Sequence, residues 1–254
     1  GFVAADELND YPELGVQGVG VSKQYAHREP RFYASVAYNG STWNLGNADT
    51  KNDEIPNVQV WYYRGDPNGY SATSYYPRSG MSIKKFVSPD DIGPHDYSAY
   101  NVGRFTKKVD PAIRYAEILL IYAEAVNELT SQISYDIPSW DGTKVHTIVR
   151  DKNELKKGIQ PIRIRAGIPD YTDEEYSDPD KFRIKLKRER QIELFAEGHR
   201  YFDLRRWMDA QYEEPLQVYG CNIYATKNQQ ELFHTPISIA EFPTMFTTKM
   251  WFCP

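Results

Sequence analysis

Three glutamates recur at four-residue intervals late in the chain: Glu189, Glu193 and Glu197. On a helix that spacing lines them along one face, where like charges repel by roughly a few tenths of a kcal/mol per pair. Something basic must therefore face them, and Arg163, Arg165, Arg200, Arg205 and Arg206 are the candidates. The same carboxylates with His199 could instead hold two metal ions. Bundle sites of that kind need a Glu-x-x-His spacing, however, and here the order is Glu197-Gly198-His199. The expected reading is an ion-pair network.

The other chemistry on offer is stacking. The chain holds 20 Tyr, 11 Phe and 5 Trp, more rings than a core of this size needs. Tyr and Trp combine a flat apolar face with a polar tip, so the surplus suggests surfaces that stack on a ligand. Catalytic signatures are sparse. Asp90, Asp91 and Asp96 near His95 are the best local carboxylates for glycoside hydrolysis, but Asp90-Asp91 after Ser88-Pro89 reads as a turn. No Gly-x-Ser-x-Gly, phosphate loop, His-Glu-x-x-His or Cys-x-x-Cys occurs. The same three aspartates could supply oxygens to a calcium ion, as could any acidic loop. Cys221 and Cys253 make no metal spacing, and whether they pair stays open.

The elements that must position these groups fall into two halves. Residues 1–110 are rich in turn signals, among them Asn39-Gly40, Asp66-Pro67, Asn68-Gly69 and Ser79-Gly80. Between them lie short aromatic and β-branched runs, 32–38 and 58–63, that suggest brief strands. From 111 the pattern turns helical. Asp110 and Pro111 predict a helix start. Tyr115, Leu119, Tyr122, Val126 and Leu129 then form an apolar stripe widened by Ile118, Ile121 and Ala125. Such a broad stripe expects a partner on each side.

Residues 131–152 read as a loop with an exposed Trp140. A poorer helix follows over 153–166, interrupted by Gly158 and Pro161 and stopped at Gly167. Acidic residues from Asp173 to Asp180 lead into a helix over 179–197, with Phe182, Leu186, Gln191, Leu194 and Phe195 inward and Gly198 as its stop. A last helix spans 200–210, with Phe202, Leu204 and Trp207 inward.

Bulk properties bound the answer. The chain has 254 residues with 41% hydrophobic and 26% charged, values of an ordinary folded protein. A net charge of -5 disfavours nucleic acid as a partner. No run of about 18 apolar residues crosses a membrane as a helix.

Four segments in order carry a family resemblance. Arg28-Glu29-Pro30-Arg31-Phe32-Tyr33-Ala34 resembles an Asp-Pro-Arg-Phe element. Arg114 to Ala125, Arg-Tyr-Ala-Glu-Ile-Leu-Leu-Ile-Tyr-Ala-Glu-Ala, resembles a family helix. Ile162-Arg163-Ile164-Arg165-Ala166-Gly167-Ile168-Pro169 resembles an Ile-Arg-x-Arg-Ala-Gly-Ile-Pro element, and the stretch from Arg188 to Trp207 resembles a C-terminal signature. Pro236-Ile237 with Glu241-Phe242 resembles a closing element. Together they identify the chain as a member of the SusD/RagB family, the surface glycan-binding lipoproteins of Bacteroidetes. Pro161 departs from the pattern and suggests a short helix there. The usual closing Asn-Pro-Gly-Trp is replaced by Met250 to Pro254.

The resemblance implies a mainly α, tetratricopeptide-like helical (SusD-like) fold. Residues 1–110 would be the loop-rich, aromatic, ligand-facing segment and 111–254 the C-terminal helical region, with the family's N-terminal repeat helices absent. It implies a binding protein rather than an enzyme, without a cofactor. Such a protein captures oligosaccharide or polysaccharide at the outer-membrane cell surface for a SusC-like TonB-dependent transporter, held by a lipid anchor on the missing N-terminal part. A peptide-binding relative, a protein-binding helical adaptor and a glycoside hydrolase are the alternatives.

Rings cover the C–H faces of sugars while amides, carboxylates and guanidinium groups take the hydroxyls. On that chemistry Trp61, Tyr63, Tyr75 and Tyr76, then Trp43, are the expected ligand contacts. Core packing is the competing use of each ring. Tyr122 and Trp207 are assigned to the core by periodicity. Because the N-terminal helices are absent, an uncovered apolar patch is expected along the helix at 111–130.

Overall fold

A computed structural model describes residues 1–4, 19–44, 46–47, 57–71, 76–88, 91–93, 107, 109, 111–129, 133–214 and 217–241, the backbone alone at 43–44, 46–47, 57–58 and 92–93. The helices are α1 (Pro30–Ser35), α2 (Tyr115–Asn127), α3 (Lys152–Arg165), α4 (Asp173–Ser177), α5 (Pro179–Glu193), α6 (His199–Arg206), α7 (Ala210–Glu213) and α8 (Gln230–Phe233). The strands are β1 (Val36–Ala37), β2 (Ser41–Asn44), β3 (Gly46–Asn47), β4 (Asn57–Val60), β5 (Ser82–Ile83), β6 (Ile92–Gly93), β7 (Ser134–Pro138), β8 (Val145–Val149), β9 (Gln217–Gly220) and β10 (Ile237–Glu241). Among the described residues they join in pairs: β1–β5, β2–β4, β7–β8 and β9–β10 antiparallel, β3–β6 parallel. The fold is mainly α with short strands, as expected. No helix among the described residues is long and apolar enough to cross a membrane.

The chain divides into two compact units. One comprises residues 1–28, 32–109 and 204–254, the other residues 29–31 and 110–203.

The second unit is a helical core. Asp151 caps α3 by accepting from the Glu154 amide at 2.9 Å. Leu155, Ile159 and Ile162 of α3 then bury against Ala116, Leu120, Ala123 and Val126 of α2. Phe182 and Leu186 of α5, with Leu194, Tyr171 and Tyr176, complete this core. The expected interruption of α3 does not occur. A Cβ at Gly158 would stand 2.6 Å from the Leu119 carbonyl oxygen and 2.7 Å from the Ala123 Cβ. Gly158 is thus the contact point that lets α3 lie on α2, and the buried face carries the helix through Pro161 to Arg165. The α3 stop is as read: Gly167 takes a φ of +69°, and the Ile168 amide closes back on the Arg163 carbonyl at 3.1 Å.

Several boundaries move. Helix α2 begins at Tyr115 rather than Pro111, with Arg114 in an extended conformation at its entry. Its buried line is 116, 120, 123 and 126, so Leu119 and Tyr122 are edge residues. Tyr115, Ile118 and Ile121 lie open at 76%, 47% and 47% exposure, the uncovered apolar face that was expected. Helix α5 ends at Glu193, not 197; the chain turns through Ala196 at φ +63°. Phe195, past the helix end, is exposed rather than inward, and Gln191 lies on the exposed face of α5. The region 131–152 is not a loop but the hairpin β7–β8, with Trp140 at its tip and 99% exposed. Asp141 orders that tip by accepting from Ser139 Oγ, the Thr143 amide and Thr143 Oγ1.

Among the described residues the first unit has two small cores. Tyr25 and Tyr38 pack with Val3 and Val21, while Tyr62, Tyr63 and Phe233 pack with Ala37, Cys221 and Ala225. Residues 32–35 are helical, not strand; Pro30 starts α1 and only Val36–Ala37 pair in a ladder. The helix expected at 200–210 is split into α6 and α7 at Met208, whose φ is +60°. Leu204 is buried as expected, Trp207 is half-buried, and Phe202 is exposed.

Candidate functional site

The glutamate stripe meets arginines, as its spacing required. Glu189, nearly wholly buried, takes Arg31 Nη1 at 2.7 Å and Arg163 Nη1 at 2.6 Å, and accepts from Tyr171 Oη at 3.2 Å. Glu193, equally buried, takes Arg165 Nη2 at 2.5 Å, Arg114 Nη1 at 3.0 Å and Arg31 Nη1 at 3.2 Å. Glu197 receives Arg114 through Nε and Nη2, each at 2.7 Å, the planar fork that suits guanidinium. Burial pushes the Glu193 carboxyl up, but the Arg165, Arg114 and Arg31 contacts outweigh it and hold the group below the usual carboxylate range.

Arg163 and Arg165 were legible as partners; Arg31 and Arg114 were not. Arg205 pairs with Glu214 at 2.9 Å, and Arg206 lies over the Trp207 ring at 4.6 Å. His199 stands 3.6 Å from Glu117. Each of the four ordered motifs thus delivers charge to one hub: Arg31, Arg114, Arg163 with Arg165, and the glutamates. Acids held by this many arginines are satisfied structural groups and offer no open coordination position.

The stacking candidates lie in the first unit and divide by exposure. Tyr63 is wholly buried, with Phe233 across it at 4.8 Å. Both are core, which removes Tyr63 from the ligand contacts, and burial pushes its phenol up to about 12. Trp61 is half-buried. One face stacks on Tyr63 at 5.6 Å and 18°, while Lys227 Nζ lies 5.2 Å from the ring centre. Gly40, at φ +91°, lets the backbone pass under this indole, where a Cβ would sit 3.0 Å from the ring.

Tyr76 is half-buried and meets Tyr70 edge-on at 5.0 Å. Tyr70 meets Tyr224 in the same way at 5.0 Å, and Tyr224 is 54% exposed. Tyr75 lies outside the described residues. Trp43 stands opposite Val58 on the β2–β4 ladder, its side chain undescribed. Asp90 and Asp96 also lie outside the described residues; Asp91 is buried.

Tyr70 and Tyr224 escaped the sequence reading. Their local signals are turns. The Gly69 amide closes on the Asp66 carbonyl at 2.9 Å, and a Cβ at Gly69 would fall 1.7 Å from the Tyr63 carbonyl oxygen. Only glycine permits that approach, and it delivers Tyr70 to the surface. Tyr224 sits on a turn in which Asn222 Oδ1 accepts its amide at 3.2 Å. Exposed Arg64 and Asn68 precede Tyr70 in the same turn segment. The Arg64 amide donates to the Ala225 carbonyl at 2.9 Å, tying the two turns together.

A family model described as the SusD family matches residues 4–254. Among solved structures, the protein BT4246 is similar over 98% of this chain and 38% of its own, with 21% identity and a TM-score of 0.65. A SusD-like carbohydrate binding protein from Bacteroides fragilis is similar over 92% of this chain and 42% of its own, at 22% identity and a TM-score of 0.54. A second SusD-like protein from Bacteroides fragilis gives 25% identity over 78% of this chain and 31% of its own, with a TM-score of 0.51. The chain thus spans about two-fifths of the length of the first of these relatives. No curated protein is similar enough to match.

Proposed function

Starting from the chain's membership of the SusD family, matched over residues 4–254, we propose that it is a cell-surface glycan-binding protein. It captures oligosaccharides and passes them to a partner TonB-dependent transporter of the outer membrane. A lipid anchor on a preceding segment holds it at the surface, and it does not hydrolyse what it binds.

One observation carries the reading. The Tyr76–Tyr70–Tyr224 run joins three partly open rings edge to face, and Arg64 and Asn68, both exposed, precede Tyr70 closely in sequence with groups suited to hydroxyls. A structural relative that is itself described as a SusD-like carbohydrate binding protein supports it. On this reading residues 1–110 are the ligand-facing segment, joined by Tyr224 from the C-terminal helical region of 111–254. Trp61 and Tyr76 stay among the proposed ligand contacts, as do Tyr75 and Trp43.

The test is retention of the intact protein on a panel of immobilised polysaccharides, followed by oligosaccharide titration of its tryptophan fluorescence. Tyr224→Ala is expected to weaken the best ligand about five- to twenty-fold, the loss of one aromatic contact of roughly 1–2 kcal/mol. Retention of peptides but of no glycan would replace the glycan by a peptide ligand.

A further inference from the structure

We propose that a cavity of about 370 Å³ in the first unit is a pocket for a single sugar ring that carries a carboxylate, of the hexuronic acid type. Its volume falls at the lower end of the roughly 300–1,000 Å³ usual for small-ligand sites. Tyr25, Phe32 and Tyr219 line it, with Arg28, Cys221 and His234. Half-buried Phe32 stacks on the buried Tyr25 ring at 6.3 Å and 20° and offers apolar ring surface of the kind that receives the C–H face of a pyranose.

The polar groups narrow the ligand further. His234 Nδ1 lies 2.8 Å from the Gln230 carbonyl oxygen, which can only accept, so Nδ1 carries the proton. Burial holds this imidazole below its ordinary pKa and keeps it neutral. Nε2 is then a bare acceptor, buried and without a hydrogen-bond partner. Tyr25 Oη is buried beside the Cys221 thiol and the Gln24 side chain, and makes no hydrogen bond of sound geometry with either. The two rings stand 5.8 Å apart, edge to face. Both atoms are closed to water, so a sugar hydroxyl, which donates and accepts, serves them only where the Tyr25 and His234 rings shift to admit it. Leaving them empty costs roughly 1–3 kcal/mol each, which a ligand recovers.

Charge decides the class of sugar. Arg28 anchors Nε and Nη2 on the Gln24 carbonyl at 3.1 and 2.9 Å, and it makes no ion pair among the described residues. Among the described residues no acidic side chain lines the cavity. Arg28 is exposed, so its positive charge sits at the open side, where a ring carboxylate can meet it while hydroxyls enter.

The choice of a sugar over other small anions rests on the glycan-binding reading, and the experiment separates the two. Cys221, buried and on the cavity wall, reports occupancy. In the intact protein with Cys253→Ser, alkylation of Cys221 by iodoacetamide is followed by mass spectrometry. D-galacturonate, D-galactose and acetate are the three additions, each also titrated calorimetrically. Galacturonate is expected to slow alkylation and bind about three- to five-fold more tightly than galactose, the contribution of one partly exposed ion pair. Arg28→Gln should abolish that difference, and His234→Phe, which keeps a ring in place, should weaken both sugars. Equal effects of the two sugars, equal protection by acetate, or no heat and no protection from galacturonate would each overturn the proposal. Polysaccharide retention by the Tyr70 surface is scored separately. If it is lost while galacturonate still protects Cys221, the glycan-capture reading fails and the pocket stands.

Discussion

Arg114 grips Glu197 through two parallel bonds of 2.7 Å across 83 positions of sequence, and its third nitrogen reaches Glu193 at 3.0 Å. One side chain at the entrance of α2 thus fixes the end of α5 and the turn after it. That explains why α2 starts late and α5 stops early. The guanidinium must stand clear of the helix to reach the turn, and the turn must bring Glu197 back toward it.

Arg114→Met is expected to cost about 2–3 kcal/mol, because it leaves a buried glutamate short of one cation. Arg183→Met supplies the comparison. Arg183 holds Glu128 at 2.8 and 2.9 Å with equal geometry, but at the surface. Its loss should change stability by less than about 1 kcal/mol. Urea denaturation of both variants checks the contrast, and equal losses would remove the hub's special standing.

The hub also predicts an acid response. Glu193 is held below its unfolded value by Arg165, Arg114 and Arg31, working against burial. A depressed carboxyl contributes stability above its unfolded pKa of about 4.3 and loses it as the pH falls through the folded value. Glu193→Gln should therefore be clearly less stable than wild type at about pH 7. The gap should narrow steadily below about pH 4. Thermal melts across that range measure it; a gap independent of pH would contradict the assignment.

Gly158→Ala sets two effects against each other. Alanine in a helix interior gains roughly 0.5–1 kcal/mol over glycine. Here its Cβ would meet a backbone oxygen at 2.6 Å, which cannot swing aside. Overpacking costs typically about 1–3 kcal/mol, so the variant should be less stable by about 1–2 kcal/mol. A stabilised variant would mean that α3 and α2 are free to separate.

Tyr115, Ile118 and Ile121 form an apolar strip open to solvent in this chain. Replacing Ile118 and Ile121 by Gln should reduce binding of a hydrophobic dye to the 254-residue chain. The denaturation midpoint should stay within about 0.5 kcal/mol per site, as for exposed positions generally. A large loss of stability would show that the strip is covered.

Local chemistry was legible and distant pairing was not. Gly167 acts within a few residues of itself, as does the acidic lead-in containing Asp178, so the stop of α3 and the start of α5 could be read directly, whereas the Asp151 cap and the end of α5 were not. Arg31 reaches Glu189 from 158 positions away, and no spacing rule covers that distance. Phe32 to Ser35 look like strand by composition, yet the fixed φ of Pro30 suits the opening turn of α1. The hairpin at 134–149 was hidden because both strands expose most of their side chains and so lack a clean apolar alternation. Tyr63 illustrates the limit at the candidate site. A tyrosine's type does not say which of its ends meets water, and here the whole ring went to the core.

The hub has a consequence for how the chain is made. Arg31 and Arg114 emerge from the ribosome long before the glutamates they serve, and Glu193 lies near the end of α5. Until α5 is translated, the waiting arginines remain hydrated at no cost. Once it arrives, its buried acids demand all of them together, because each one missing leaves a charge unpaid in the interior. The second unit therefore closes as a checkpoint on its own synthesis, in which α5 docks only onto a chain whose earlier motifs are already in place.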